Sequence, residues 1–179
     1  MPGSDTRLVE ECRERLHTVL PELPRTIAEL RAALVRHRGR AIQVVVGDPG
    51  DLALPCGLWL QMADRDVVWV DRRTSPMHQV VIIGHEFGHM VCGHVPQPVD
   101  GRELHGPIPA FADQQLGLSA AHITAIMGRC GDLRSWLGRA DCGSGDGRQE
   151  LEAEITGRLI AEHLLTELGC GLSGVVGES

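Results

Sequence analysis

Tyrosine is missing from the 179 residues, phenylalanine occurs only twice, and aromatic side chains make up 3% of the chain. Any chemistry performed here proceeds without a phenol. Positive charge is also in short supply: 17 Lys and Arg stand against 24 Asp and Glu, a formal net charge of -7. Such a balance gives no reason to expect nucleic acid or an anionic membrane as partner and points to proteins or small molecules instead. No apolar run approaches the roughly eighteen residues a membrane span needs, and MPGSDTRLVEECRERL lacks the basic start and apolar centre of a signal peptide. A cytoplasmic location is expected. No C-x-x-C pair occurs, so Cys12, Cys56, Cys92, Cys130, Cys142 and Cys170 are expected to be free thiols. There is no internal repeat.

What remains is an ordinary globular composition, 42% hydrophobic and 23% charged, at a length that suits one domain over residues 1–179. Residues 1–40 carry two amphipathic helices, about 5–20 and 26–37, the second stopped by Gly39; its arginines, Arg31, Arg36 and Arg38, read as a solvated face. At Ala41 the period shifts to that of a strand, AIQVVV, and the runs Gly57 to Met62 and Asp66 to Val70 suit an antiparallel hairpin. A small sheet therefore occupies 41–74. A helix follows over 75–94, capped by Thr74 or Ser75 and ended by Gly93. Residues 95–147 read as a Pro- and Gly-rich loop and one or two helices covering the helix before them. A long helix spans 148–169, and 170–179 form a tail. The fold class expected is α+β, with a small, mostly antiparallel sheet packed against two long helices.

The stretch Val80 to Val95, VVIIGHEFGHMVCGHV, takes up most of the helix over 75–94. Two histidines four apart, His85 and His89, lie on one helical face one turn above the other, a spacing that can grip a zinc ion, and Glu86 stands beside them. The helix is apolar nearly all round and therefore buried, where two imidazoles and a carboxylate need partners. His78 shares the face but lies two turns away, too far for the same ion. The elongated zinc motif with a third histidine six residues after His89 is excluded, because Val95 stands there. His94 then reads as a helix-end or supporting residue rather than a ligand.

A zinc site with an open position for water needs a third protein ligand. The last helix, RQELEAEITGRLIAEHLLTEL, offers Glu150 and Glu154, which fall in the middle of a stripe formed by Ala153, Gly157, Ile160, Ala161, Leu164, Leu165 and Leu168. Buried acids need a cation or several hydrogen-bond donors, and Gly157 and Ala161 would let another helix approach closely. Glu152, Thr156, His163 and Glu167 share the opposite side and read as solvent-facing.

HEFGHMVCGH, His85 to His94, together with ELEAE, Glu150 to Glu154, resembles the HExGHxxxGH and later E-x-E-A-(N, D or E) pattern of the ImmA/IrrE-type metallopeptidases, zincins with a glutamate ligand. The likeness is strongest to short actinobacterial members and extends back over CGLWL to TSPMHQ. It implies a zincin-like metallopeptidase domain, with the HExxH helix and a C-terminal Glu-bearing helix, and a zinc ion (Zn2+) held by His85, His89 and Glu150. Glu86 is implied as general base, and Glu154 as the acid that orients a ligand histidine, with Glu154 the fallback third ligand. The function implied is that of a hydrolase: a zinc-dependent endopeptidase cutting a regulatory protein, a repressor or antitoxin-like transcriptional regulator, by metal-activated water. The alternative is a catalytically silent zincin-fold module that binds or regulates, such as a toxin-antitoxin component. Thr156 and Gly157 depart from the Phe-Ala common in the family, and Leu164 and Leu165 run into Thr166 where many members have Leu-Leu-Met-Pro.

With no tyrosine, the oxyanion of the reaction would be met by a histidine, an arginine or a backbone amide, or by nothing further. His105, His122, Arg102 and Arg129 are the side-chain candidates in the segment after the motif, and Asp66 to Asp71 is a candidate sheet edge for a substrate strand.

Overall fold

The helix bearing the histidines lies between a sheet and a second helix, and that arrangement follows from its composition. In the computed structural model, which describes residues 3–51, 54–98, 111–114, 116–127 and 146–167, the helices are α1 (Gly3–Val19), α2 (Ile27–Arg38), α3 (Pro76–Cys92) and α4 (Asp146–Glu167). The strands are β1 (Ala41–Gly47), β2 (Gly57–Met62), β3 (Arg65–Asp71), β4 (Gln97–Pro98) and β5 (Ile123–Met127). They form one mixed, mostly antiparallel sheet of five strands in the order β1-β3-β2-β5-β4. No helix among the described residues is long and apolar enough to cross a membrane.

Helix ends follow the sequence signals. Thr26 Oγ1 accepts from the Glu29 amide and Ser75 Oγ from the His78 amide, each satisfying a first-turn donor, and Gly39 and Gly93 close α2 and α3 in the left-handed conformation that a side chain resists. α1 begins at Gly3, slightly ahead of the cap expected at Ser4 or Asp5.

β2 and β3 are covered on both faces. Alternation sends Trp59, Val68 and Val70 toward α3, where they join Ile83, Phe87 and Met90 and the inner residues of α1, α2 and α4. Leu58, Leu60, Val67 and Trp69 point to the other face and meet Phe111, Ala112 and Leu118. Trp69 packs edge-on against Phe111, with ring centroids 4.8 Å apart.

Three expectations change. Ile123–Met127 is a strand pairing with β2, not part of a helical cover, and the described residues 111–118 lie against the sheet face turned away from α3. β3 is an interior strand, with β1 parallel on one side and β2 antiparallel on the other, so Asp66 to Asp71 has no open edge for a substrate strand. Arg38 is not a solvated residue: it donates to Asp66, which is fully buried, at 3.0 Å and lies over the Trp59 ring. Arg40 donates to the other oxygen of Asp66 at 2.9 Å and to the Met62 carbonyl. Position 168 and the 170–179 tail lie outside the described residues, as do Arg102, His105 and Arg129.

Candidate metal centre

α3 and α4 cross at a run of small residues. A methyl group added to Gly84 would stand 2.7 Å from the Gly157 carbonyl oxygen, one on Gly88 would stand 2.6 Å from the Ala153 oxygen, and one on Gly157 would stand 2.6 Å from His85 Cα. Backbones this close leave no room for side chains between them, so the residues flanking the crossing face each other directly.

His85, His89 and Glu150 are brought together there. His85 Nε2 and His89 Nε2 are 3.1 Å apart, and each lies 3.5 Å from a carboxylate oxygen of Glu150. Atoms held about 2.0–2.2 Å from one ion at tetrahedral angles stand about 3.3–3.6 Å from each other. The three groups are thus spaced close to the edges of such a tetrahedron, and they form a set that could hold a metal ion. His89 is fully buried and His85 nearly so.

Glu154 does not join that set. Its carboxylate is 3.4 Å from Nδ1 of His85, the nitrogen turned away from Glu150, and its side chain is 57% exposed. Glu86 is buried. Together with His85, Glu154, His78 and Gly57 it lines a narrow cleft of about 30 Å3, room for one or two waters. Gly57 is required in that wall, because a methyl group on it would meet Ile82 at 2.4 Å and the Glu86 carboxylate at 3.0 Å. A wider groove of about 310 Å3 opens beside the cleft between α3 and α4, walled by Val81, Ala161 and Leu165.

The two histidines have opposite proton affinities. Burial disfavours the charged form of His85, but its hydrogen bond to Glu150 and the charges of Glu86, Glu150 and Glu154 outweigh burial and raise its pKa. His89 has burial against it, with His85 and His94 adding to the effect, and its pKa falls to about 3. A neutral His89 keeps a lone pair for a metal ion.

No protein-family model matches the chain, and neither does any curated protein or solved structure.

Sequence reasoning missed a second cluster beneath the first. Glu152 and Thr156, read as solvent-facing, are buried. α4 is packed against α1 as well as α3, so it hides a second stripe. Glu152 accepts from Arg15 of α1 at 3.1 Å and from Arg148 at 2.9 Å, and its other close neighbour is His94 Nε2 at 3.1 Å. Burial works against the Glu152 carboxylate, but the hydrogen bonds from His94 and Arg148 and the charge of Arg15 prevail and lower its pKa. The signal available in the sequence was Arg148 four residues before Glu152 on one helix. Cys92, His94 and Glu152 also lie close enough to be a metal-holding group. Cys12, Cys56 and Cys92 are free thiols among the described residues. Of the oxyanion candidates, His122 is exposed in the 3-10 turn Ala120–His122 that leads into β5.

Proposed function

We propose that the chain is a zinc-dependent endopeptidase of zincin-like fold, with His85, His89 and Glu150 as the zinc ligands. One observation carries the reading: two imidazole nitrogens and a carboxylate from separate helices converge at 3.1–3.5 Å, beside a water-sized cleft that Glu86 lines. Zinc in such a set lowers the pKa of a water toward about 7 and polarises a substrate carbonyl.

Glu86 is then the general base. It follows His85 directly, is held in the cleft wall away from bulk water, and takes a proton from the attacking water before passing it to the leaving amine. The Glu154 carboxylate stands 3.4 Å from His85 Nδ1, on the side of the ring away from Glu150, where it would orient His85 so that Nε2 could face a metal ion. The groove beside the cleft, apolar along Val81, Ala161 and Leu165, takes a substrate side chain next to the scissile bond. The resemblance of HEFGHMVCGH and ELEAE to the ImmA/IrrE-type pattern supports a repressor or antitoxin-like regulator as substrate.

Metal analysis combined with a cleavage assay tests this. Purified protein is expected to carry one zinc per chain. Glu86→Gln is expected to keep the zinc and lose cleavage of a co-expressed neighbouring regulator by about 100-fold or more. If zinc is bound and wild type and Glu86→Gln leave every regulator equally intact, the chain is a silent zincin-fold binding module instead.

A further inference from the structure

We propose that His94 and Glu152 form a buried relay that sets the tautomer and ring orientation of His89, so that His89 meets a metal ion through Nε2 alone. The proposal rests on the metal-site reading above and names two positioning residues that lie outside the ligand set.

The relay follows from hydrogen-bond bookkeeping. Glu152, paired with Arg15 and Arg148, is a carboxylate and can only accept. His94 Nε2, 3.1 Å from it, must therefore carry a hydrogen. In neutral His94 that leaves Nδ1 as a lone pair, which lies 2.9 Å from His89 Nδ1. One of those two nitrogens must donate, so His89 Nδ1 carries the hydrogen and His89 Nε2 is left as the lone pair. Nε2 is the nitrogen that faces His85 and Glu150. Metal-ligating histidines commonly donate their second N–H to a carboxylate, which fixes the ring and raises its basicity; here an extra imidazole is inserted between the two.

The backbone builds the relay into the end of α3. Gly93 adopts φ 71° and its amide, with that of His94, bonds back to the last turn, the His94 amide reaching the His89 carbonyl at 3.0 Å. This turn folds His94 back beneath His89. All three side chains of the relay are buried, 0% exposed for His89, 5% for His94 and 7% for Glu152. The competing use of the same residues is a second metal site of Cys92, His94 and Glu152. Against it, Glu152 already accepts from two arginines and the Cys92 thiol lies 3.3 Å from the Thr156 hydroxyl.

Two measurements on the full chain test the relay. In zinc-loaded protein with 15N-labelled histidine, two-bond proton–nitrogen spectra are expected to show His89 protonated at Nδ1 and His94 at Nε2 only. Chelator competition is expected to show His94→Phe losing about 10–100-fold in zinc affinity. His94→Asn, whose amide oxygen can accept in place of Nδ1, should recover most of that loss. Three results would overturn the relay: a proton on His94 Nδ1; equal losses for the folded Phe and Asn variants; or two metal ions per chain with a sulfur-to-cobalt charge-transfer band that Cys92→Ser removes. Wild-type protein that binds no zinc removes the metal site and the relay together, whereas unchanged affinity in His94→Phe removes the relay alone.

Discussion

Glu150 and Glu154 stand one helical turn apart and look interchangeable in the sequence, yet one carboxylate spans both Nε2 atoms and the other touches only the far nitrogen of His85. Glu154→Ala should therefore weaken zinc binding by about 10–100-fold, the range for an orienting partner. Glu150→Ala should weaken it beyond that range; chelator competition giving the reverse order would reject the assignment. The histidine pair was legible because i and i+4 share a face whatever the fold. The pairing of Glu152 with Arg15 was not, because Arg15 approaches from another helix and no periodicity records such a pairing. Asp71 offers a pH prediction away from the metal. The Arg73 side chain donates to it, opposed by burial and aided by the Arg73 amide, and its pKa is lowered. A lowered folded-state pKa adds stability that is present above the unfolded value and lost as pH falls through the folded one. The stability gap between wild type and Asp71→Asn, read as melting temperature, should be constant at neutral pH and close below about pH 4.

Elements with caps were readable. Ser75 and Gly93 bracket α3, and Thr26 and Gly39 bracket α2, because single residues satisfy or release helix-end amides locally. β5 was not readable: ITAIM is five residues long, and the strand that orders it, β2, lies far earlier in the chain. The helical wheel of α4 placed Ala153, Gly157 and Ala161 correctly against α3 but not Glu154, whose side chain is 57% exposed, and it failed on the side facing α1, since a wheel assumes a single buried face. The crossing of α3 and α4 makes its own prediction. Gly157→Val would drive a side chain into the His85 backbone, so the helices must separate. A loss of about 3 kcal/mol or more in denaturant melts, with zinc affinity falling alongside, is the expected result. A variant that keeps both would show that the crossing tolerates expansion.

At the scale of the molecule, sheet order could not be read from the chain, because β1 reaches β3 by a parallel pairing that skips β2. That order buries Asp66, and the arginines of the α2 end serve it. Asp66→Ala should cost on the order of 3 kcal/mol, the lower edge of breaking a buried pair, since Arg38 and Arg40 keep some contact with water; urea melts measure it. The division of the site between α3 and α4 has a last consequence. Zinc bound there would act as a clasp across the long segment joining the two helices, and only the clasped state would hold it. By mass action, saturation at 1,000 times the dissociation constant adds about 4 kcal/mol to every opening that separates α3 from α4. Amide hydrogen exchange in α4 should then slow sharply on zinc addition, while the sheet face beneath Phe111 and Leu118 exchanges as before.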